Sequence, residues 1–311
     1  MVWGVNGHPF TAYPGVSAQQ QLDLLAQLGA KQYRVNLTAG APTDGLEQLL
    51  PLAAARGITI LPIVAPSVSL QDDNPETIYA KSRDAAFALG QHFAGRIKVW
   101  ELGNELENYA IIQPCEMRDD GTQYPCTWGA GGGTSTLDYF GARWKKVSAA
   151  LRGMSDGLHA ADPTALRAVG TAGWGHTAAF DRMTQDGVAW DISVWHYYGC
   201  DVDDGAVGLM QHVANFGKPI WITEFNCSSY QQGEDVQAAG LQRLMTKFRS
   251  LRTTLRVEAA FIYELLDEPY WSGYEAEMGI VRQARNAQGQ WAVAGNKKAF
   301  GMVQSLIAAG K

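Results

Sequence analysis

Two glutamates in this chain stand where an apolar run stops. Ile97-Lys98-Val99-Trp100-Glu101-Leu102-Gly103 leads into Asn104-Glu105, and Lys218-Pro219-Ile220-Trp221-Ile222-Thr223 leads into Glu224-Phe225. A carboxylate is costly to bury without a partner or a purpose. Two of them, each delivered by a strand-like run, point to a reaction that needs carboxyl groups in pairs. Cleavage of a glycosidic bond is such a reaction: one carboxyl is protonated and assists the leaving oxygen, and the other is ionised. The ionised group attacks directly when the pair is about 5–5.5 Å apart, or activates a water when the gap is about 6.5–9.5 Å.

For the pair to act on one bond, the chain must bring both run-ends to one place, and its pattern provides a way. Short β-rich runs alternate with helical stretches from end to end, the pattern of a parallel α/β fold. The strand candidates are Val2–Asn6, Gln32–Leu37, Ile58–Val64, Ile97–Leu102, Leu166–Thr171, Ile192–His196, Ile220–Phe225 and Val257–Glu264. The helix candidates are Ser17–Leu28, Asp44–Arg56, Glu76–Phe93, Leu137–His159, Thr177–Gln185, Gly205–Asn215, Asp235–Leu251 and Asn296–Ala308. In the first helix Leu22, Leu25 and Leu28 share one face and Ser17 is the expected N-cap. Eight such units predict an α/β fold of the (β/α)8 TIM-barrel type, a single catalytic domain over residues 1–311. The runner-up, a doubly wound open sheet, would show a glycine-rich phosphate turn after its first strand, and none is evident. Strands 4 and 7 of a barrel face each other, with both C-terminal ends on the catalytic rim.

A barrel takes about 250 residues. The excess falls in two stretches after strands 4 and 8: Asn108–Thr136, with Cys115, Cys126 and the run Gly129-Ala130-Gly131-Gly132-Gly133, and Asp267–Ala294, ending in a hairpin around Asn286–Gln290. Long loops on this rim usually shape a substrate cleft. The glycine run lacks the strand-turn-helix setting of a nucleotide fingerprint, so no cofactor is expected.

Composition narrows the partners. Of 311 residues, 46% are hydrophobic and 18% charged, which supports a large core. The net charge of -6 argues against a nucleic-acid partner. No apolar run is long enough to span a membrane. Val2-Trp3-Gly4-Val5 reads as a strand from the outset, so an exported form would have lost its targeting segment. No H-E-x-x-H motif or tight His/Asp cluster is present, and no catalytic metal is expected. A monomer is the expected state. Trp is frequent, with 10 residues, and its flat face suits the C–H face of a sugar ring as well as a protein core.

Trp100-Glu101-Leu102-Gly103-Asn104-Glu105, Trp221-Ile222-Thr223-Glu224-Phe225, Tyr33-Arg34-Val35-Asn36 and His196-Tyr197-Tyr198 fall in register on strands 4, 7, 2 and 6. In this order they resemble clan A of the glycoside hydrolases. The likeness spans residues 31–227 and is nearest to family 39 and its endo-acting exopolysaccharide hydrolases. It implies Glu105 as general acid/base and Glu224 as nucleophile. It also implies Asn104 on the sugar 2-hydroxyl, Arg34 beside the nucleophile, and His196 and Tyr198 supporting substrate and nucleophile. The expected activity is that of a retaining endo-β-glycosidase on a bacterial exopolysaccharide or plant β-glycan. An exo-acting β-glycosidase and a non-catalytic carbohydrate-binding barrel are the alternatives. Two departures bear on sugar preference: Gly103 stands where family 39 often has Trp, and Tyr263-Glu264 stands where many members have a Trp platform. Families 51 and 79 resemble the chain at Leu102-Gly103-Asn104-Glu105, but the appended β-domain that they and family 39 xylosidases carry has no room here.

Four cysteines allow three pairings. Cys200 and Cys227 follow the motifs of adjacent strands 6 and 7, and Cys115 and Cys126 bracket one loop, so these two bridges are favoured. Bridged, they imply a periplasmic or secreted enzyme; four free thiols in a cytoplasmic one stay open. On the expected rim, His8 could touch sugar or cap a loop, and Trp128, Trp174 and Trp271 are candidates for sugar stacking. Glu101 is expected to pair with Arg34 or another base, and Asp267 and Glu268 to form a subsite or a competing acid. Glu264 could face inward or outward. His92, His159 and His212 read as surface or core residues on helices.

Overall fold

Local chemistry starts and stops the elements as the spacing requires. Ser17 caps the first helix: its side chain accepts from the Gln20 amide, while the Gln20 side chain accepts from the Ser17 amide. Gly29 ends that helix in the left-handed conformation. Asn74 caps another helix by accepting from the Thr77 amide at 2.8 Å, with Pro75 in the first turn, where its missing N–H is no loss.

The computed structural model describes residues 1–37, 42–173 and 175–310. Its elements are β1 (Val2–Gly7), α1 (Ala18–Leu28), β2 (Gln32–Asn36), α2 (Pro42–Ala54), β3 (Thr59–Val64), α3 (Pro75–His92) and β4 (Val99–Leu102). They continue as α4 (Gly141–Ala161), β5 (Leu166–Thr171), α5 (Ala178–Gln185), β6 (Ile192–Tyr198), α6 (Asp204–Ala214), β7 (Ile220–Asn226), α7 (Glu234–Ser250) and β8 (Val257–Ile262). A hairpin of β9 (Val281–Arg285) and β10 (Trp291–Asn296) precedes α8 (Lys298–Ala309). Strands β1 to β8 pair in chain order, and β8 pairs back on β1, so the sheet is a closed parallel barrel and the open-sheet alternative falls. All eight strands run the same way, which puts their C-terminal ends on one rim.

The chain divides into two compact units, residues 1–62, 197–207 and 220–311, and residues 63–196 and 208–219. In the first, Trp3, Tyr33, Phe225, Phe248, Phe261 and Phe300 are buried, as are Leu22, Leu25 and Leu28 of α1 and Leu241 and Leu244 of α7. In the second, Phe93, Trp100, Tyr139, Trp144 and Phe180 are buried, and the Trp144 ring N–H donates to Asp186 at 2.7 Å. Gly153 and Gly157 of α4 lie against backbone of α3 so closely that a side chain at either would collide with it.

Three of the departures from the expected boundaries have a clear cause. The helix expected from Leu137 starts at Gly141, because Tyr139 is extended and bridges Ile111, leaving only a short 3-10 turn over Thr136–Asp138. The fourth strand starts at Val99 rather than Ile97, since the Ile97 amide still bonds back to Phe93 after α3. The eighth ends at Ile262; beyond it Leu265 donates to the Asn6 carbonyl, and Leu266 bridges Val281 of the hairpin. The hairpin turns at Asn286–Gln290 as expected, with the Asn286 amide on the Gln290 carbonyl at 2.8 Å.

Both favoured disulfides are formed, Cys115–Cys126 and Cys200–Cys227, and no described cysteine is free. The second closes a loop with a sequence separation of 27. Replacing Cys200 and Cys227 by Ser should lower unfolding stability by about 3–4 kcal/mol on the loop-entropy model. A urea titration of oxidised wild-type and double-variant protein checks this; coincident midpoints would contradict it.

Candidate active site

Within the first unit, three strand ends converge on one carboxylate. Glu224 of β7 is buried, and its Oε1 accepts from Arg34 Nη1 of β2 at 2.6 Å. The same Nη1 donates to Asn6 Oδ1 of β1 at 2.7 Å, and Asn6 in turn donates to the Thr223 carbonyl at 2.8 Å. Tyr198 of β6 donates its hydroxyl to Glu224 Oε2 at 2.5 Å. Both carboxylate oxygens are therefore held by donors, one of them charged, which favours the ionised form. Arg34 and Tyr198 stand where the sequence put them. Asn6 was missed; a polar residue closing the apolar run Val2–Val5 was the available signal.

Next to it lies a second group of acids. Glu264 is fully buried, accepts from the Tyr13 hydroxyl, and has Oε2 at 3.3 Å from His8 Nε2. Its inward orientation settles the alternative left open by the sequence. Burial above all raises its pKa well above the usual carboxylate value. Burial likewise lifts Glu268 to about 7, helped by the charge of Glu264. Burial lowers His8, against the pull of Glu268 and Glu224. One ligand atom each from His8, Glu264 and Glu268 lies within 4.8 Å of the others, a spacing at which a divalent cation could be held. Asp267, by contrast, is a structural partner: Lys297 Nζ donates to it at 2.6 Å inside a buried network with Ser229. Desolvation raises Asp267 to about 6 even so.

Within the second unit, the β4 end carries the other glutamate. Gly103 has φ of 78°, and a Cβ there would meet the Leu106 side chain at 2.6 Å, so the Trp common in family 39 has no place in this turn. Glu105 follows in the left-handed region at φ 50°, a conformation that costs a non-glycine residue about 1–3 kcal/mol and is concentrated at functional sites. Its side chain is 29% exposed, with Oε1 at 2.7 Å from His196 Nδ1. His196, expected beside substrate and nucleophile, thus has the acid/base candidate as its hydrogen-bonding neighbour. Buried Glu101 lies 4.0 Å from His196 Nε2, so a histidine is one base near it. Asn104 is exposed beside Glu105. Glu107, also missed, is buried and holds the Ala172 amide at 2.5 Å and His176 Nδ1 at 3.0 Å.

The loop tryptophans divide. Trp128 is 59% and Trp271 61% exposed, while Trp174 lies outside the described residues. His92 and His159 are exposed helix residues, and His212 pairs with Asp181 at 2.8 Å.

Residues 141–278 match a family model described as glycosyl hydrolase catalytic core. The expectation of an enzyme acting on O-glycosyl bonds agrees with that match, whose span includes His196, Tyr198, Glu224 and Glu264. No curated protein matches the chain in sequence. Among solved structures, it is similar to a family 39 glycoside hydrolase from the gut symbiont Bacteroides cellulosilyticus WH2, with TM-score 0.68 and 15% identity. That match covers 99% of this chain and 64% of the other, so the chain spans less than two thirds of that protein. A family 1 β-glucosidase from Thermotoga maritima gives TM-score 0.66 at 13% identity, covering 99% and 97%. Xylanase 10B from Thermotoga maritima gives 0.62 at 13%, covering 99% and 95%. At these identities the likeness is one of fold.

Because Glu268 titrates at about 7 when folded and 4.5 otherwise, its protonated form favours the fold. Its contribution is complete below about pH 4.5 and is lost as pH rises through about 7, with Glu264 acting in the same direction. Glu268→Gln should flatten the fall of Tm across that window. Calorimetry of both proteins checks this, and parallel curves would count against it.

Proposed function

We propose that the chain is a retaining endo-β-glycosidase with Glu224 as nucleophile and Glu105 as general acid/base, acting on a bacterial exopolysaccharide or plant β-glycan. The observation that carries the reading is the contrast between the two carboxyl groups. Glu224 is buried and held on both oxygens by Arg34 and Tyr198, which suits a permanently ionised group fixed in one rotamer. Glu105 is part-exposed, and its close neighbour is a group able to give or take a proton. Both close strands of one parallel barrel, whose catalytic constellations draw residues from several strand ends.

In the first step Glu224 attacks the anomeric carbon as Glu105 gives its proton to the departing oxygen. The ester that forms removes the charge of Glu224, which favours ionisation of Glu105. Ionised, Glu105 takes a proton from water as that water attacks the anomeric carbon, and Glu224 leaves as a carboxylate. His196 fits both stages: protonated Glu105 can donate to a bare Nδ1, and ionised Glu105 can accept from Nδ1–H. Asn104 would meet the 2-hydroxyl of the ring, and Trp128 an aglycone ring. Two disulfides support a periplasmic or secreted setting. Among the described residues no helix is long and apolar enough to cross a membrane.

A 2-fluoro glycoside should trap an ester on Glu224, located by peptide mapping; a label elsewhere defeats the assignment. Glu224→Gln should abolish turnover in a protein that still folds, with Tm lowered because Arg34 loses its opposite charge. Glu105→Ala should lose about 10²–10⁴-fold in kcat on substrates with poor leaving groups. It should lose far less in the trapping step on aryl glycosides with very good ones. Equal losses on both would remove Glu105 as the acid.

A further inference from the structure

Within the first unit, the β1 loop and the segment between β8 and β10 line an open cavity of about 750 Å³. Tyr263, Glu268, Tyr270, Trp271, Glu275 and Trp291 are among its lining residues. The volume falls in the range of about 300–1,000 Å³ typical of small-ligand sites. Lys297 anchors one end of the segment through Asp267, and the β9–β10 hairpin braces the other. Tyr270 sits between two indoles, 6.2 Å from Trp271 and 6.1 Å from Trp291 between ring centres. Trp271, at 61% exposure, leaves an indole available to a ligand.

The polar groups are few and converge. Glu268 Oε1 accepts from the Tyr270 hydroxyl at 3.0 Å, and the Trp271 amide donates to the Glu268 carbonyl at 2.9 Å, so the carboxyl and the indole are fixed to one turn. Arg285, the cation of the lining, lies over the Trp291 ring at 4.6 Å and donates to the Gly289 carbonyl. Glu268 and Glu275 outnumber it, so the cavity is acidic. Flat apolar faces beside carboxyl acceptors match a ring with C–H faces and adjacent hydroxyls, and disfavour an anionic one. Tyr263 connects the cavity to the nucleophile: its ring stands 6.0 Å from that of Tyr198, which bonds Glu224.

We propose that this cavity is a glycone-side subsite for a second, neutral pyranose ring, with Trp271 as its platform and Glu268 as acceptor for two neighbouring hydroxyls. The inference rests on the glycosidase reading, in which Glu224 bonds the glycone: a ring seated beyond Tyr198 and Tyr263 then belongs to the same side of the cut. Trp271 and Glu268 become specificity-determining residues, and a two-ring glycone becomes the preferred donor.

Aryl glycosides of a β-linked monosaccharide and the matching disaccharide, in gluco, manno, xylo and galacto forms, test this. Wild-type kcat/KM should favour the best disaccharide over its monosaccharide by at least tenfold. Trp271→Ala and Glu268→Gln should each reduce that preference at least fivefold, mainly through KM, and Trp271→Phe should restore part of it. Preferences unchanged in both variants, with turnover intact, overturn the subsite and leave the hydrolase reading standing. A uronic disaccharide preferred over every neutral one overturns the neutral assignment. If nothing is turned over, calorimetric titration with the corresponding free oligosaccharides decides. Binding weakened at least tenfold by Trp271→Ala supports the sugar site and removes the hydrolase reading, whereas no binding removes both.

Discussion

The contact between Arg34 and Glu224 is the constraint around which the first unit is organised. Both side chains are buried, and a buried ion pair recovers its desolvation only when its remaining donors and acceptors are satisfied. Asn6 meets the guanidinium, Tyr198 meets the carboxylate, and Thr223 fixes Asn6. Each comes from a strand end, so the network forms only when β1, β2, β6 and β7 are in register. Register slippage by one residue would turn every one of these side chains to the other face of the sheet.

The acids that surround this pair show why position outweighs residue type. Glu224 faces a guanidinium, whereas Glu264 and Glu268 face burial and each other, and they are driven toward the protonated form. A glutamate paired with a guanidinium and glutamates whose pKa is raised by burial thus coexist in one unit, the kind of separation on which acid–base chemistry at ordinary pH depends. In the second unit the left-handed turn at Gly103 and Glu105 presents a carboxyl at the edge of the barrel beside an imidazole. Backbone strain there is tolerated because strand β4 and the turn after it are fixed by buried neighbours such as Trp100 and Glu107.

The segment after β8 departs most from a minimal barrel. It leaves the sheet at Ile262, returns backbone bonds to Asn6 and Val281, and carries its aromatic residues on a braced hairpin. A barrel scaffold of this kind hosts many activities, and what distinguishes one from another is the chemistry of such rim segments.

The sequence by itself determined the order of the elements, because apolar runs of period two and amphipathic stretches of period 3.6 are local properties. It also put two glutamates at strand ends and favoured the cysteine pairs, since strand ends and loop brackets can be read along the chain; the arginine and tyrosine around Glu224 were expected only from the resemblance to clan A. It did not determine what Asn6, Glu107 or Glu264 would do. Asn6 is one polar residue after an apolar run, and its partners Arg34 and Thr223 are distant in sequence. His196 became a neighbour of Glu105, and Asp267 a partner of Lys297, only through the closed sheet and the hairpin. Boundaries shifted where long-range pairing, such as Tyr139 with Ile111, overrode local helix preference. Which acid is charged was likewise settled in three dimensions, because burial and the nearest opposite charge fix a pKa, and neither is a property of the residue alone.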